Sequence, residues 1–181
     1  MLMGSFRKLP ERSRLQELFI YVAEAGELYW RHRHNSQIKL DKPAGWARQN
    51  GYYEIKIDNI TYKRHRLVWC IFNGDPGDLE IDHINSKKGD DRIENLRLAT
   101  RSQNQYNRPA LSHNKSGYKG VSPLPGGKWK AQITMPGGRR AHLGTYSTPQ
   151  AAAGAYAEAA RKLHAEFLHY SLDTSKTKEN K

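Results

Sequence analysis

The spacing of apolar residues predicts a short N-terminal helix followed by strands. Over residues 10–25, apolar side chains recur at intervals of three and four, the period of an amphipathic helix, and Gly26 would end that helix. Residues 28–30 (LYW) look like the start of a strand. Residues 52–63 alternate in polarity on either side of the turn pair Asp58-Asn59, so this region predicts a β-hairpin.

An apolar block and a polar segment come after the hairpin. Residues 65–72 (HRLVWCIF) are almost uniformly apolar, which favours a buried helix over another strand. The short run 79–81 predicts a strand that leads into Asp82-His83. Further along, Thr100 is a suitable N-cap for a helix that continues through Asn107.

The C-terminal part predicts a small sheet and one helix. An alanine-rich helix is expected from Pro149 to about Phe167, with Thr148 as its N-cap and proline at its first position. Its many alanines would let a sheet pack closely against one face. Three β-like runs, separated by Gly/Pro turns, precede the helix: 118–121, 128–134 and 139–145.

Together these elements predict an α+β fold in two domains. The first domain, with the N-terminal helix and the hairpin, would cover residues 1–110, and the polar stretch 111–116 would link it to the second. The second domain, residues 117–170, would be a three-stranded antiparallel sheet packed on one helix. The polar tail 171–181 is expected to be disordered.

Charge points to a polyanionic partner. The net charge is +12 and the pI about 9.8. An excess of basic residues attracts nucleic-acid phosphates, but it is a much less specific indication of function than a motif. No Asp or Glu occurs from Leu111 to Ala157, a stretch that holds six Lys and Arg residues together with Trp and Tyr. Such a stretch is typical of a nucleic-acid-binding face.

Cysteine content and hydropathy bear on the kinds of site the chain can form and on its cellular compartment. The only cysteine, Cys70, rules out an intramolecular disulfide and a multi-cysteine zinc site, and its apolar neighbours predict a buried side chain. We find no run of 18 apolar residues and no signal-peptide pattern, so we expect a protein of the cytoplasm, the host cytoplasm if a phage encodes it, with no membrane partner.

The polar residues that suit catalysis are concentrated between Ile81 and Arg108. Cleaving a phosphodiester requires an activated water and a group that bears the charge of the scissile phosphate. Aspartate and asparagine offer hard oxygen ligands suited to Mg²⁺, and a neutral histidine beside them can take a proton from water. Taken singly, each of these side chains is equally explained as a turn, surface or core residue.

Their spacing resembles the ββα-metal motif of HNH endonucleases, in the subgroup of phage intron and free-standing homing enzymes whose last motif residue is Asn. The resemblance rests on Asp82-His83, on Asn95 within IENL, on Asn104, and on the HRLVW block that starts at His65. It covers roughly residues 52–108.

The resemblance implies a role for each motif residue. Asp82 and Asn104 would hold one divalent ion per site, Mg²⁺ or Mn²⁺ or another divalent metal. His83 would be the general base, and Asn95 would hold the loop and orient the His83 ring. His65 would either touch phosphate or buttress the site. The products would carry 5′-phosphate and 3′-hydroxyl ends.

A second resemblance covers residues 116–167. The segments SGYKGV, GKWKAQI and LGTY, followed by the alanine-rich helix, resemble the ethylene-response-factor (Apetala-type) DNA-binding domain of plants. That family lays a three-stranded sheet in the major groove and packs its helix behind. The chain departs from the family at Lys119, Ser122, Thr134 and His142, so the plant target sequence is not transferred. A purely structural module or a protein-interaction domain remains the alternative.

The DNA contacts of this second domain are expected on its strands. The expected contact residues are Lys119, Lys128, Trp129, Lys130, Gln132, Arg139, Arg140 and His142. Strict alternation places Lys128, Lys130 and Gln132 on one face and Trp129 on the other, whereas the resemblance places Trp129 among the contacts. A bulge or twist would be needed to reconcile the two.

We therefore interpret the sequence as a divalent-metal-dependent DNA endonuclease, a nickase or homing-type enzyme, that is targeted by a C-terminal DNA-binding domain. The partner would be double-stranded DNA, and the protein a monomer or a weak homodimer. The alternatives are a non-catalytic DNA-binding regulator with a degenerate core and a nuclease that acts on RNA or on particular structures.

Overall fold

The computed structural model describes residues 7–33, 35–108 and 114–164. Its contacts divide the chain into two compact units, Met1–Thr100 and Arg101–Lys181. Residues 111–113 of the predicted linker, the predicted disordered tail and the last residues of the predicted C-terminal helix lie outside the described residues. The division into a nuclease domain and a DNA-binding domain stays a prediction.

The first unit begins with a helix, α1 (Arg12–Leu18), and a two-stranded antiparallel sheet, β1 (Phe19–Val22) and β2 (Glu27–Trp30). The predicted helix through residue 25 was therefore wrong in its second half. The segment FIYV is rich in aromatic and β-branched residues, which favour a strand, and backbone pairing with β2 replaces the helical hydrogen bonds there. Leu15 and Leu18 of α1 are buried in the core, so the amphipathic interpretation holds for the first half only.

The hairpin was predicted correctly. A three-stranded antiparallel sheet has the order β3 (Trp46–Ala47), β4 (Tyr53–Ile57), β5 (Ile60–Lys63). Asp58 and Asn59 connect β4 and β5 with φ angles of 47° and 63°. Two positive φ angles in a two-residue turn match the right-handed twist of the strands, and Asp and Asn tolerate them better than most residues.

The predicted buried helix and the strand after it are also present. Helix α2 (Arg64–Asn73) follows β5 directly and contributes Leu67, Val68 and Cys70 to the core. Strand β6 (Glu80–His83) pairs antiparallel with β7 (Leu96–Ala99). The loop between them ends in one turn of 3-10 helix, Ile93–Asn95.

The second unit has the predicted sheet and helix, but the predicted first strand, residues 118–121, was misplaced. Residues 118–120 form a bend and a turn, with Gly120 at a positive φ, and the strand begins at Val121. After a short helix, α3 (Arg101–Tyr106), come β8 (Val121–Pro123), β9 (Trp129–Thr134) and β10 (Arg140–Tyr146), with β9 in the centre of an antiparallel sheet. Helix α4 (Pro149–His164) packs on it. The molecule is thus α+β, as predicted.

Close packing of α4 depends on small residues. Its buried positions Ala152, Tyr156 and Ala160 recur every four residues and face the sheet. Gly120, with φ of 73°, lies against Tyr156, where a Cβ would come within 2.2 Å of the ring. The backbone of Ala151 donates to the Thr148 hydroxyl at 3.2 Å, so the predicted N-cap is confirmed. No helix among the described residues is both long and apolar enough to span a membrane.

Candidate functional site

The centre of the candidate site is the His83 ring at the end of β6, which is held by a buried carboxylate. His83 Nε2 and Asp91 Oδ1 are 2.8 Å apart, and Asp91 Oδ2 accepts a hydrogen bond from Arg64 Nε at 2.7 Å. Asp91 and Arg64 are 0% and 1% exposed as side chains. A carboxylate on one ring nitrogen fixes the orientation of an imidazole and leaves proton transfer to the other nitrogen, here Nδ1.

Arg64 is held on several sides at the start of α2. Its Nη2 donates to the Gly89 carbonyl at 3.0 Å, and its Nη1 lies 3.7 Å from Glu27 Oε1. The guanidinium also lies over the Tyr53 ring, 4.0 Å from the centroid. A buried charge is tolerated only when it is paired and hydrogen-bonded, so Arg64 and Asp91 depend on each other.

Asn95 closes the loop that carries Asp91. Its side chain accepts from the Asn85 backbone N–H at 3.0 Å and donates to the Asn85 side chain at 3.1 Å and to the Asp90 carbonyl at 2.8 Å. These bonds match the loop-holding half of the role expected for Asn95. The hydrogen bond at His83 Nε2 involves Asp91, a residue for which the sequence suggested no role.

Asp82 lies beside His83 on β6 and is 5% exposed. Arg97 stands opposite it on β7 and donates to Asp82 Oδ2 from Nε at 2.9 Å and from Nη2 at 2.7 Å. Both of these bonds end on Oδ2. Asn104 lies on α3, in the second unit. Carboxylate and amide oxygens are, each by itself, hard donors of the kind that Mg²⁺ and Mn²⁺ prefer.

His65 lies in α2 next to this cluster. It is 4% exposed, its ring is 5.1 Å from that of His83 in an edge-on arrangement, and Tyr52 packs on it at 5.2 Å. Burial, reinforced by His83 and neighbouring cations, holds the pKa of His65 well below its usual value. Its Nδ1 has no hydrogen-bond partner among the described residues. His65 is therefore neutral at physiological pH and offers an imidazole next to the base.

Donor atoms of His65, His83 and Asp91 lie within 4.8 Å of one another. Two imidazoles and a carboxylate would suit a transition metal better than Mg²⁺. However, each Asp91 oxygen already has a hydrogen-bond partner, and the Arg64 guanidinium adds a positive charge beside it. We interpret these residues as a hydrogen-bonded base cluster and not as an ion site.

The second unit presents polar side chains on the face of its sheet that is turned away from α4. Gln132 of β9 stands opposite His142 of β10, Thr134 opposite Arg140, and Lys130 opposite Thr145. Lys128 and Arg139, at the strand ends, are exposed. Ala131 and Ile133 alternate with this set and are buried against the helix.

Two of the expected DNA-contact residues lie elsewhere. Trp129 packs with Val121, Ala131 and Ala152 on the helix side, so alternation holds along β9. The bulge is in β10, where the register shifts between His142 and Gly144.

Lys119 points to the end of α3. Its ammonium donates to the carbonyls of Gln105, Tyr106 and Arg108, at 3.0, 2.9 and 2.5 Å. Cations stabilise the free carbonyls at a helix C-terminus. Burial, with a contribution from Arg108, lowers the pKa of Lys119 to about 8.

The sequence reasoning missed Asp91, Arg64 and Arg97. The run KKGDDR around Asp91 resembles a solvated, charged loop, and nothing local shows that its second aspartate is buried. A weak signal was present for Arg64, which stands at the start of an otherwise apolar helix. Strand pairing could have found Arg97, because it lies directly opposite Asp82 once β6 and β7 are in register.

Comparison with known proteins adds independent evidence. Residues 62–106 match the family model for HNH endonucleases. A protein of Acanthamoeba polyphaga mimivirus named as an uncharacterized HNH endonuclease is 32% identical over 124 residues, which cover 67% of this chain and 64% of the mimivirus protein. Protein 3.8 of Escherichia phage T7 is 31% identical over 110 residues, which cover 60% of this chain and 89% of the phage protein.

A shorter part of the chain has a relative of another kind. The dehydration-responsive element-binding protein 2D of Arabidopsis thaliana is 48% identical over 59 residues, 32% of this chain and 29% of the plant protein. No solved structure matches the chain.

Proposed function

Because the chain belongs to the HNH endonuclease family, we propose that it is a divalent-metal-dependent DNA endonuclease whose general base is His83. The observation that carries this proposal is the buried His83 ring, fixed through Nε2 by the Asp91–Arg64 pair and adjacent in the chain to Asp82. The cytoplasmic location and the homing-type or nickase activity expected from the sequence stay predictions.

In the proposed mechanism His83 takes a proton from the attacking water through Nδ1. Asp91 fixes the tautomer and stabilises the imidazolium that forms, and Arg64 compensates the carboxylate charge. Because the His65 ring is neutral, it adds no positive charge beside the His83 ring. Asp82 and Asn104 would hold the divalent ion, which when bound would supply electrostatic stabilisation to the scissile phosphate. Asn95 keeps the loop closed, and the cut leaves 5′-phosphate and 3′-hydroxyl ends.

For the second unit we propose a duplex-binding face of Lys128, Lys130, Gln132, Arg139, Arg140 and His142. This face is free of acidic side chains, and its arginines are suited to phosphates and to guanine edges. The similarity over 59 residues to a plant protein named as a dehydration-responsive element-binding protein supports it. We leave Lys119 and Trp129 out of this face because their side chains have other partners in the second unit.

Plasmid nicking tests the proposal. Purified protein is incubated with supercoiled plasmid and Mg²⁺ or Mn²⁺, and in parallel with a chelator. We expect open-circular product only with the metal, and a loss of about 10²- to 10⁴-fold for His83→Ala. Equal nicking by His83→Ala, or binding of duplex DNA with no cleavage by the wild type, would refute it, and the second outcome would favour a regulator. Faster cleavage of a matched RNA would refute the assignment of DNA as substrate.

A further inference from the structure

The first unit has an open groove beside its hairpin sheet. Its volume is about 760 Å³, and its lining comes from α1, from residues 35–46 and from the β4–β5 hairpin. The groove shares no lining residue with the His83 cluster. Buried Leu18, Ile55 and Ile57 form part of its floor, together with Trp30.

The rim of the groove is strongly basic. Arg14, Lys39, Lys42 and Lys56 line it, and Asp58 is the one carboxylate among the lining residues. Arg14 has a partial partner in Glu17 at 3.7 Å, so the three exposed lysines dominate the charge. Clustered cations on the wall of a concave surface attract a polyanion and focus its approach.

An aromatic face is available beside these cations. Trp46 is 41% exposed, which is unusual for a tryptophan, and it belongs to the short edge strand β3. Amide side chains of Asn35, Gln37 and Asn59 also line the groove. Proteins that bind unpaired nucleic acid commonly combine cations, amides and exposed aromatic rings. Bases stack on the rings, and the phosphate backbone follows the cations.

The position of the groove relates it to the cleavage site. Strand β4 carries Tyr53, which covers Arg64 of the base cluster, and three residues later Lys56, which lines the groove. Three residues of strand span about 10 Å, a distance that a few nucleotides of DNA cover. A duplex offers no free base faces along its length, so a tryptophan in a groove of this size fits a single strand better.

We propose that this groove binds a short unpaired segment of DNA next to the cleavage site. Lys42 and Lys56 would contact its phosphates, and Trp46 would stack on a base. The inference rests on the proposed function for the identity of the polyanion. It adds a preference for substrates that are locally unpaired, such as a frayed or forked duplex.

Binding to a labelled oligodeoxythymidine of about 12 nucleotides tests this inference, by fluorescence anisotropy with a chelator present. The Lys42→Gln/Lys56→Gln variant is compared with Lys8→Gln/Lys115→Gln, which removes the same charge from two exposed positions outside the groove. We expect the groove variant to weaken binding at least about fivefold and to lower the salt slope by about 1.4. Trp46→Leu, at an exposed position, should weaken binding by about 5- to 50-fold.

Equal losses in the groove variant and its control, or no loss with Trp46→Leu, would overturn the inference. A loss for a blunt duplex but not for the oligonucleotide would also overturn it. Because cleavage is switched off in this assay, its result is independent of plasmid nicking. If binding depends on the groove but no plasmid is nicked, the proposed nuclease activity is refuted and the proposed DNA-binding groove stands. If plasmid is nicked but binding does not depend on the groove, only the proposed groove is refuted.

Discussion

Charged side chains are buried and paired around His83 in the first unit, whereas the cations of the sheet in the second unit face solvent. Arg64 and Asp91 are almost fully enclosed and hold each other, while Lys128, Arg139 and Arg140 are exposed. Burial fixes an atom at one position, which suits a base that must face a water molecule. Exposure leaves long side chains free to adjust to phosphates. The difference fits the proposed division of labour, with chemistry in the first unit and DNA affinity in the second.

The largest expected effect on stability comes from removing the charge that holds His83. Asp91→Asn leaves Arg64 without its main partner, so we expect a loss of about 3 kcal/mol in the free energy of unfolding. Below the melting temperature, the single-turnover cleavage rate should fall about 10- to 100-fold with unchanged duplex affinity. In the wild type, nitrogen NMR should show His83 as the Nε2–H tautomer, and the variant should lose that preference.

The neighbouring aspartate offers a matched control for this variant. Asp90 is bonded to Asn85 and to the half-exposed Arg92. Asp90→Asn should change the rate by less than about threefold, because a partly exposed pair contributes little. Equal rate losses in the two variants would show that Asp91 has no special role in orienting the base.

Two glycines allow each unit to be disturbed separately. Gly26, with φ of 67°, approaches the loop of Asp91, where a Cβ would lie 2.3 Å from the Arg92 nitrogen. Gly120 lies equally close to Tyr156 in the second unit. Each Gly→Ala change should cost about 2–3 kcal/mol through steric overlap and strained backbone. Hydrogen exchange should show the loss in the unit that carries the change, and a uniform loss over both units would argue against their independence.

A smaller effect is expected from one exposed cation of the sheet. Arg140→Ala should weaken duplex binding by about 5- to 30-fold and reduce the salt slope by about 1, with the maximal cleavage rate unchanged. Arg161→Ala, on the helix behind the sheet, removes the same charge as a control. If the control loses as much affinity, net charge and not the sheet face explains DNA binding.

The smallest effect concerns acid stability. Hydrogen bonds from Arg92 and Asn85 lower the pKa of Asp90 to about 2 from 3.8. The unfolded chain therefore binds a proton before the folded one does, and the stabilisation present above about pH 4 is lost as the pH falls towards 2. Because solvent screens this partly exposed site, ionised Asp90 contributes only about 1 kcal/mol to the free energy of unfolding. Urea unfolding at pH 6 and pH 3 should show a smaller difference for Asp90→Asn than for the wild type.

Sequence reasoning succeeded where the signal was local. The Asp58-Asn59 turn predicted the hairpin, and Thr148 with Pro149 predicted the start of α4. It failed where a side chain is fixed by a distant partner. Asp91 is buried only because Arg64, 27 residues earlier in the chain, reaches it.

Two further errors have similar physical causes. The segment from Phe19 to Val22 fits both the helical and the strand pattern, and its pairing with β2 decides between them. The register shift after His142 cannot be deduced from alternation, because Leu143 and Gly144 both lie on the helix side. The expected ion ligands Asp82 and Asn104 and the DNA contacts stay predictions.

The most direct test of the separation between chemistry and affinity is one paired measurement on Asp82→Ala. Duplex binding is measured by gel shift in chelator, and the single-turnover cleavage rate of the same duplex is measured with Mg²⁺. We expect binding within about twofold of the wild type and a cleavage rate at least about 100-fold lower. Cleavage that survives the loss of Asp82 would contradict the proposed ion site, and a parallel loss of binding would contradict the separation.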